Sequence, residues 1–203
     1  KLHVVVKRCL KLLTITAFIG LCCSASPAWA VEQPFTDVPS DHWAAPVIEE
    51  LRALGFSDGI GNGAFGLGQV ITRAEFASFI CKVEGFGGNA AQAYTDNTDT
   101  GAWYYGAVNA MAAHRVTASD GAFRPNEPIT RAEMAEMIVG ALGFYDLGTQ
   151  LNSVNCPFTD VNERKGFITF ASDFKLVGGM SANAFAPNQT ATREEAAAML
   201  VRL

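Results

Sequence analysis

An all-α fold built from three copies of one helix-loop-helix unit is what this sequence predicts, and three observations carry that prediction. First, Ile71-Thr72-Arg73-Ala74-Glu75 returns as Ile129-Thr130-Arg131-Ala132-Glu133 and again as Ala191-Thr192-Arg193-Glu194-Glu195. Second, each unit opens on an aromatic-Thr-Asp triplet (Phe35-Thr36-Asp37, Tyr94-Thr95-Asp96, Phe158-Thr159-Asp160) and places an Ala-Phe pair seven residues before its Thr, at Phe65, Phe123 and Phe185. Third, the segments around these anchors carry apolar residues at helical spacing. Self-similarity at a fixed order marks a repeat architecture. A unit of this size buries too little surface to stand alone, so the three are expected to share a core, with one helix from each packed in a pseudo-threefold bundle around a common axis.

The elements follow in order. Residues 1–30 have a basic start (Lys1, Lys7, Arg8, Lys11), an apolar run from Leu12 to Cys23 and the small-x-small triplet Ala28-Trp29-Ala30. That is the layout of a secretory signal peptide; the apolar run falls short of the ~20 residues that a spanning helix needs. The sequence starts with Lys1 rather than Met, so residues ahead of it are expected. The first repeat, 34–86, has a helix that Ser40 or Asp41 could cap, with Trp43, Val47, Ile48, Leu51 and Leu54 as its stripe. A Gly-rich loop through Ser57–Gly63 follows, plugged by Phe65, and then a second helix with Phe76, Phe79, Ile80 and Val83. The second repeat, 93–145, runs in parallel with Trp103, Val108 and Met111, then Met134, Met137, Ile138 and Ala141. The third, 157–203, is less regular: Phe167, Ile168, Ala171 and Phe174, then Ala196, Met199, Leu200 and Leu203. Gly85 and Gly143 are expected to stop their helices. The equivalent position falls two residues past Leu203, so a truncated or minimal end is expected there. Residues 87–92 and 146–157 read as polar or small linkers.

The shared motif carries the chemistry. Thr-x-x-Glu at a helix start is a capping box, in which Thr accepts the third helical amide and Glu accepts the amide of Thr. Thr72, Glu75, Thr130, Glu133, Thr192 and Glu195 are assigned that structural role. The arginine between them is different: at the first helical position its charge opposes the macrodipole, at a cost of ~0.3–1 kcal/mol. A helix N-terminus with free amides and a guanidinium suits a carboxylate or phosphate. The alternative is an arginine that bridges repeats through Asp37, Asp96 or Asp160. Ligand contact is the reading carried forward.

Together, the Phe-Thr-Asp-Val opening, the Trp near the first helix, the Gly-rich loop, Ala-Phe-x-Pro-Asn and Ile-Thr-Arg-Ala-Glu resemble the S-layer homology domain over Pro34 to Leu203. The resemblance implies a secreted, wall-bound protein that anchors non-covalently to a secondary cell-wall polysaccharide ending in pyruvylated N-acetylmannosamine, held in grooves between repeats. On it, Arg73, Arg131 and Arg193 would meet the ketal carboxylate, Asp37 and Asp96 the sugar hydroxyls, and Trp43 and Trp103 the ring or acetyl group, whose C–H face suits an indole. Relatives of this kind also self-associate, bind peptidoglycan, or serve as the anchor module of a longer enzyme; all three remain alternatives. The third repeat departs from the pattern: it has no Trp, and Glu194 replaces the motif's Ala beside Arg193. Its groove is expected to be the weakest, since the extra carboxylate would offset Arg193.

Charge and composition exclude other classes. The chain has 15 Lys and Arg against 20 Asp and Glu. Removing residues 1–30 takes four of the cations and no acid, leaving 11 against 20. An acidic secreted chain without a basic run is a poor partner for nucleic acid or anionic lipid, and no membrane contact is expected after signal cleavage. Cys81 and Cys156 are too few for a disulfide framework; Cys81 reads as a buried apolar thiol, and a bridge between the two stays open. His42 and His114 occupy non-equivalent places, and 96–101 lacks the ligands of a calcium loop. No cofactor, metal or catalytic group is expected, and the chain is read as a non-enzyme.

Overall fold

The computed structural model describes residues 35–87, 90–119 and 121–203; the signal-peptide reading lies outside them. The helices are α1 (Ala45–Ala53), α2 (Arg73–Glu84), α3 (Tyr105–Ala113), α4 (Arg131–Ala141), α5 (Tyr145–Gln150), a 3-10 turn (Leu151–Ser153), α6 (Lys165–Asp173) and α7 (Arg193–Leu200). Among the described residues there is no strand, only isolated bridges. The second helices α2, α4 and α7 begin at the three Thr-Arg motifs, and α2 packs against both α4 and α7. The most enclosed is α4, buried at Met134, Ala135, Met137, Ile138, Val139 and Gly140.

The two helices of a repeat do not pair with each other. Instead, each first helix packs on the second helix of the repeat before it: α3 on α2, α6 on α4 and α1 on α7. The last contact closes the ring, so the first and third repeats interlock. This arrangement follows from the size of the unit, because a repeat without a partner has no surface on which to bury its stripe.

A ring of backbone hydrogen bonds marks the axis. Ile71 N donates to Ala191 O at 3.0 Å, Ala191 N to Ile129 O at 3.1 Å, and Ile129 N to Ile71 O at 3.0 Å. All three residues are fully buried. The Thr that follows each one is an extended N-cap, so three extended segments meet where no water can serve them. Cyclic pairing satisfies each of their amides.

The buried Phe65, Phe123 and Phe185 plug the loops as expected, each against the aromatic of its opening triplet. Ring centroids lie 5.6 Å apart for Phe35–Phe65, 5.1 Å for Tyr94–Phe123 and 5.3 Å for Phe158–Phe185. Gly85 caps α2 with a φ of 72°, while Gly143 lies one residue beyond the α4 cap at a φ of 82°.

Three expectations need correction. Neither Ser40 nor Asp41 caps α1: the helix starts after Ala44, with no side-chain cap, and Pro46 in its first turn sets the φ. Trp43 and Leu54 therefore fall outside the helix, and both are exposed. Phe174 likewise caps α6 from outside and is exposed. The span 146–157 is not a plain linker, since α5 and the 3-10 turn occupy much of it and pack on α6. Close glycines allow this: a Cβ on Gly148 would come within 2.3 Å of the Phe167 ring, and one on Gly166 within 2.0 Å of Gly148 O.

Candidate ligand-binding grooves

All three capping boxes are formed. Thr72, Thr130 and Thr192 accept the amides of Glu75, Glu133 and Glu195 at 3.3, 3.3 and 3.4 Å. Each Glu in turn accepts its Thr amide at 2.8 or 2.9 Å. The helix starts do not offer free amides, however, contrary to the sequence expectation. Arg73 N donates to Glu127 O, Arg131 N to Gln189 O and Arg193 N to Gln69 O, each at 2.9 Å. Ala74 N and Ala132 N are bound to Pro125 O and Pro187 O in the same way. Backbone of the neighbouring repeat has taken the place where an anion would sit.

The arginines bridge repeats, although not through the aspartates. Arg73 Nε donates to Phe123 O at 2.6 Å, Arg131 Nε to Phe185 O at 2.9 Å and Arg193 Nε to Phe65 O at 3.0 Å. Each guanidinium also lies over the ring of that Phe, 4.8, 4.8 and 5.4 Å from its centroid, a cation–π placement. Their remaining partners differ. Arg73 pairs with Glu133 at 2.8 Å and Arg193 with Glu75 at 2.7 Å. Arg131 instead donates to Gly178 O at 2.7 Å, and among the described residues it has no salt bridge. Glu133 and Glu75 thus serve twice, holding a helix end and a neighbour's guanidinium.

The aspartates organise the loops. Asp37 accepts the amides of Phe65, Gly66 and Leu67 at 2.7, 2.7 and 3.0 Å. Asp96 accepts Phe123 and Arg124, both at 2.7 Å, and Asp160 accepts Phe185 and Ala186 at 2.9 and 2.8 Å. Slight burial works against the Asp37 carboxylate, but the three amides hold it below its usual value. The amides of Phe185 and Ala186 do the same for Asp160. In every case the Phe carbonyl on the other side of that peptide receives the arginine, so each Asp shapes the segment that meets the guanidinium.

Because the order of packing is cyclic, the clefts at Arg193 and Arg73 each draw on all three repeats. The largest of those described is a cleft of about 540 Å³ whose lining includes Arg193 from the third repeat, Glu75, Ser78, Phe79 and Lys82 from the first, and Trp103 from the second. Trp103 is 67% exposed and Trp43 58%, so neither is a core plug. Glu194, expected to offset Arg193, is buried, and its Oε2 accepts Gly68 N at 3.0 Å. The equivalent groove at Arg73 is a cleft of only about 130 Å³, lined among others by Arg124, Glu133, Glu136 and Arg164. Arg124 is paired with Glu133, and Arg164 with Glu136. Burial opposes the Glu133 charge, but Arg73, the Thr130 amide and Arg124 together hold its carboxyl below the usual range.

Sequence reasoning grouped Asp, Trp and Arg by repeat, whereas the structure groups them by groove. Asp37 and Arg193 meet at Phe65, with Trp103 lining the same cleft. Asp96 belongs with Arg73 through Phe123, and Asp160 with Arg131 through Phe185. Ser78, Lys82, Glu136 and Arg164 were missed, because nothing in the repeated motif marks them. Only the cyclic packing reveals that Lys82 and Trp103 share a cleft with Arg193. Cys81 and Cys156 are both free. Burial pushes the Cys81 thiol up to about 11.

Comparison with known proteins places this architecture. Residues 34–77, 93–135 and 157–197 match the S-layer homology domain. The chain is 30% identical over 177 residues to the exoglucanase XynX of Acetivibrio thermocellus, covering 83% of this chain and 16% of that enzyme. It is 35% identical over 150 residues to the surface layer protein of Brevibacillus choshinensis, covering 70% of this chain and 13% of that protein. Over 184 residues it is 30% identical to the S-layer protein of Bacillus thuringiensis subsp. finitimus, covering 87% and 22%. The chain thus spans less than a quarter of each relative. What surface proteins and enzymes share with it is one kind of module, consistent with a non-catalytic role at the cell surface. The matched segments make up more than half of the sequence, and the chain belongs to the S-layer homology domain family.

Proposed function

We propose that this chain anchors non-covalently to a cell-wall polysaccharide by taking an anionic, pyruvylated sugar into grooves between its repeats. The observation that carries this reading is the cleft at Arg193. It places two cations, Arg193 and Lys82, a hydroxyl at Ser78 and an exposed indole at Trp103 around one opening of about 540 Å³, within the ~300–1,000 Å³ range of small-ligand sites. A ketal carboxylate would draw on Arg193 and Lys82, and the apolar face of a pyranose would lie on Trp103. Asp37 Oδ2 accepts two backbone amides and Oδ1 one, so Oδ1 keeps a lone pair for a sugar hydroxyl. Asp96 holds the matching loop at Arg73 through the amides of Phe123 and Arg124. Arg131, which makes no salt bridge among the described residues although the Glu195 charge acts on it, would act in a second groove. There α1, which follows Trp43, packs on α7.

The reading makes the chain a secreted anchor and not an enzyme, with the wall glycan as its partner. The test is co-sedimentation with purified cell walls before and after mild acid has removed the pyruvyl groups. Binding that falls with the pyruvyl groups supports the proposal. Binding that is unchanged on pyruvyl-free walls, or retained on peptidoglycan stripped of polysaccharide, refutes the carboxylate mechanism and favours a peptidoglycan or self-assembly role.

A further inference from the structure

We propose that the groove at Arg73 is closed to the sugar by the protein's own ion pairs and serves as a structural joint, leaving the remaining grooves to bind. This rests on the reading that the grooves take an anionic sugar, and it follows from what occupies each equivalent position.

In the Arg193 groove, the start of the second repeat's first helix supplies Trp103. In the Arg73 groove the same place falls to the third repeat, because α6 packs on α4. That repeat has no Trp, and its entry is shorter: Asp160 stands eight residues before Ile168, whereas Asp37 stands eleven before Ile48. The shortening brings Arg164 to the helix start with a φ of 53°, and its guanidinium reaches Glu136. Glu136 occupies the position that Ser78 holds in the Arg193 groove. Arg124 occupies the position of Gly66, and it closes on Glu133 from the other side. Glu133 therefore holds Arg73 and Arg124 together, with only 7% of its side chain exposed.

Size excludes the ligand. The residual cleft of about 130 Å³ is below the ~300 Å³ at which small-ligand sites begin. A sugar entering it would have to displace the Arg124 and Arg164 side chains that Glu133 and Glu136 hold at the cleft. The missing Trp of the third repeat thus disables the groove of the first repeat's arginine, not that of its own.

The test transplants the open groove into the closed one. Arg124→Gly, Glu136→Ser and Glu163→Trp install the residues found at the positions of Gly66, Ser78 and Trp103, and Arg164→Gly suits the positive φ. Isothermal titration with the methyl glycoside of pyruvylated N-acetylmannosamine then counts sites in the wild-type chain and in the fourfold variant. The variant is expected to bind one molecule more than the wild type. An equal count in a variant that circular dichroism shows to be folded overturns the inference. Should the variant fail to fold, crystals of the wild-type chain grown with the glycoside decide: ligand in the Arg73 groove overturns the inference, and ligand confined to the other grooves supports it. A wild-type chain that binds no glycoside overturns the proposed function, and this inference with it.

Discussion

Replacing Arg73 with methionine removes a guanidinium that is only 8% exposed, that donates to Phe123 O at 2.6 Å and that pairs with Glu133 at 2.8 Å. The hydrophobic stem and much of the contact with the Phe123 ring stay, so the loss is electrostatic. Breaking a buried pair from one side costs about 3–5 kcal/mol, because the surviving charge is left in a poor solvent. Here Glu133 keeps Arg124, which is itself 43% exposed, so the expected cost is at the lower end, about 3 kcal/mol. For a chain of this size that lowers the thermal midpoint by roughly 6–12 °C. Adding Glu133→Gln removes the stranded charge while the amide oxygen still accepts the Thr130 N–H. The double variant is expected to recover about half of the loss. Thermal unfolding followed by circular dichroism, together with urea titration, measures both. A single-variant loss under about 1 kcal/mol, the range of solvent-exposed pairs, would refute the account of Arg73 as a buried inter-repeat joint.

Other outcomes follow from the same geometry. Gly140→Ala should destabilise although alanine is the better helix former by ~1 kcal/mol, because the new Cβ would meet Val116 O at 2.0 Å; a raised midpoint would contradict the packing. Thr130→Ala opens a capping box and is expected to cost about 1 kcal/mol in urea denaturation. The carboxyls of Asp37, Asp160 and Glu133 are held below their usual values. Their stabilisation is therefore present above the unfolded values of about 3.9–4.3 and is lost as pH falls through the lower folded values. The thermal midpoint should be flat from neutral pH to about pH 5 and drop below about pH 4, with a shallower acid limb in Asp37→Asn. The Cys81 thiol, pushed up to about 11, should resist iodoacetamide at pH 8 until the chain is unfolded; mass spectrometry of the alkylated peptide reads this out.

What the sequence made legible is what is local. Thr and Glu three residues apart, a Phe seven residues upstream and apolar stripes at helical spacing act within one segment, so their roles could be assigned before any packing was known. The partners of Arg73, Arg131 and Arg193 could not be, because they depend on which repeat each first helix packs against, and a stripe has no address. The same ambiguity hid the cleft that Lys82 shares with Trp103. The partner of Glu194 was hidden in the same way: its charge is visible in the sequence, but the Gly68 amide that it accepts lies in another repeat. The six-residue α5 was missed because a helix that short has little periodicity to read, and its fit depends on Gly148 and Gly166 lying against one another.

The central claim is that the cleft at Arg193 holds the sugar, and titration of the chain with the pyruvylated glycoside tests it most directly. Trp103→Ala and Lys82→Ala alter exposed or half-exposed side chains, so the thermal midpoint should stay within a degree or two of the wild type. Binding should weaken at least tenfold in each variant if the indole and the ammonium both touch the ligand. Unchanged affinity in both variants, at an unchanged midpoint, would contradict the account.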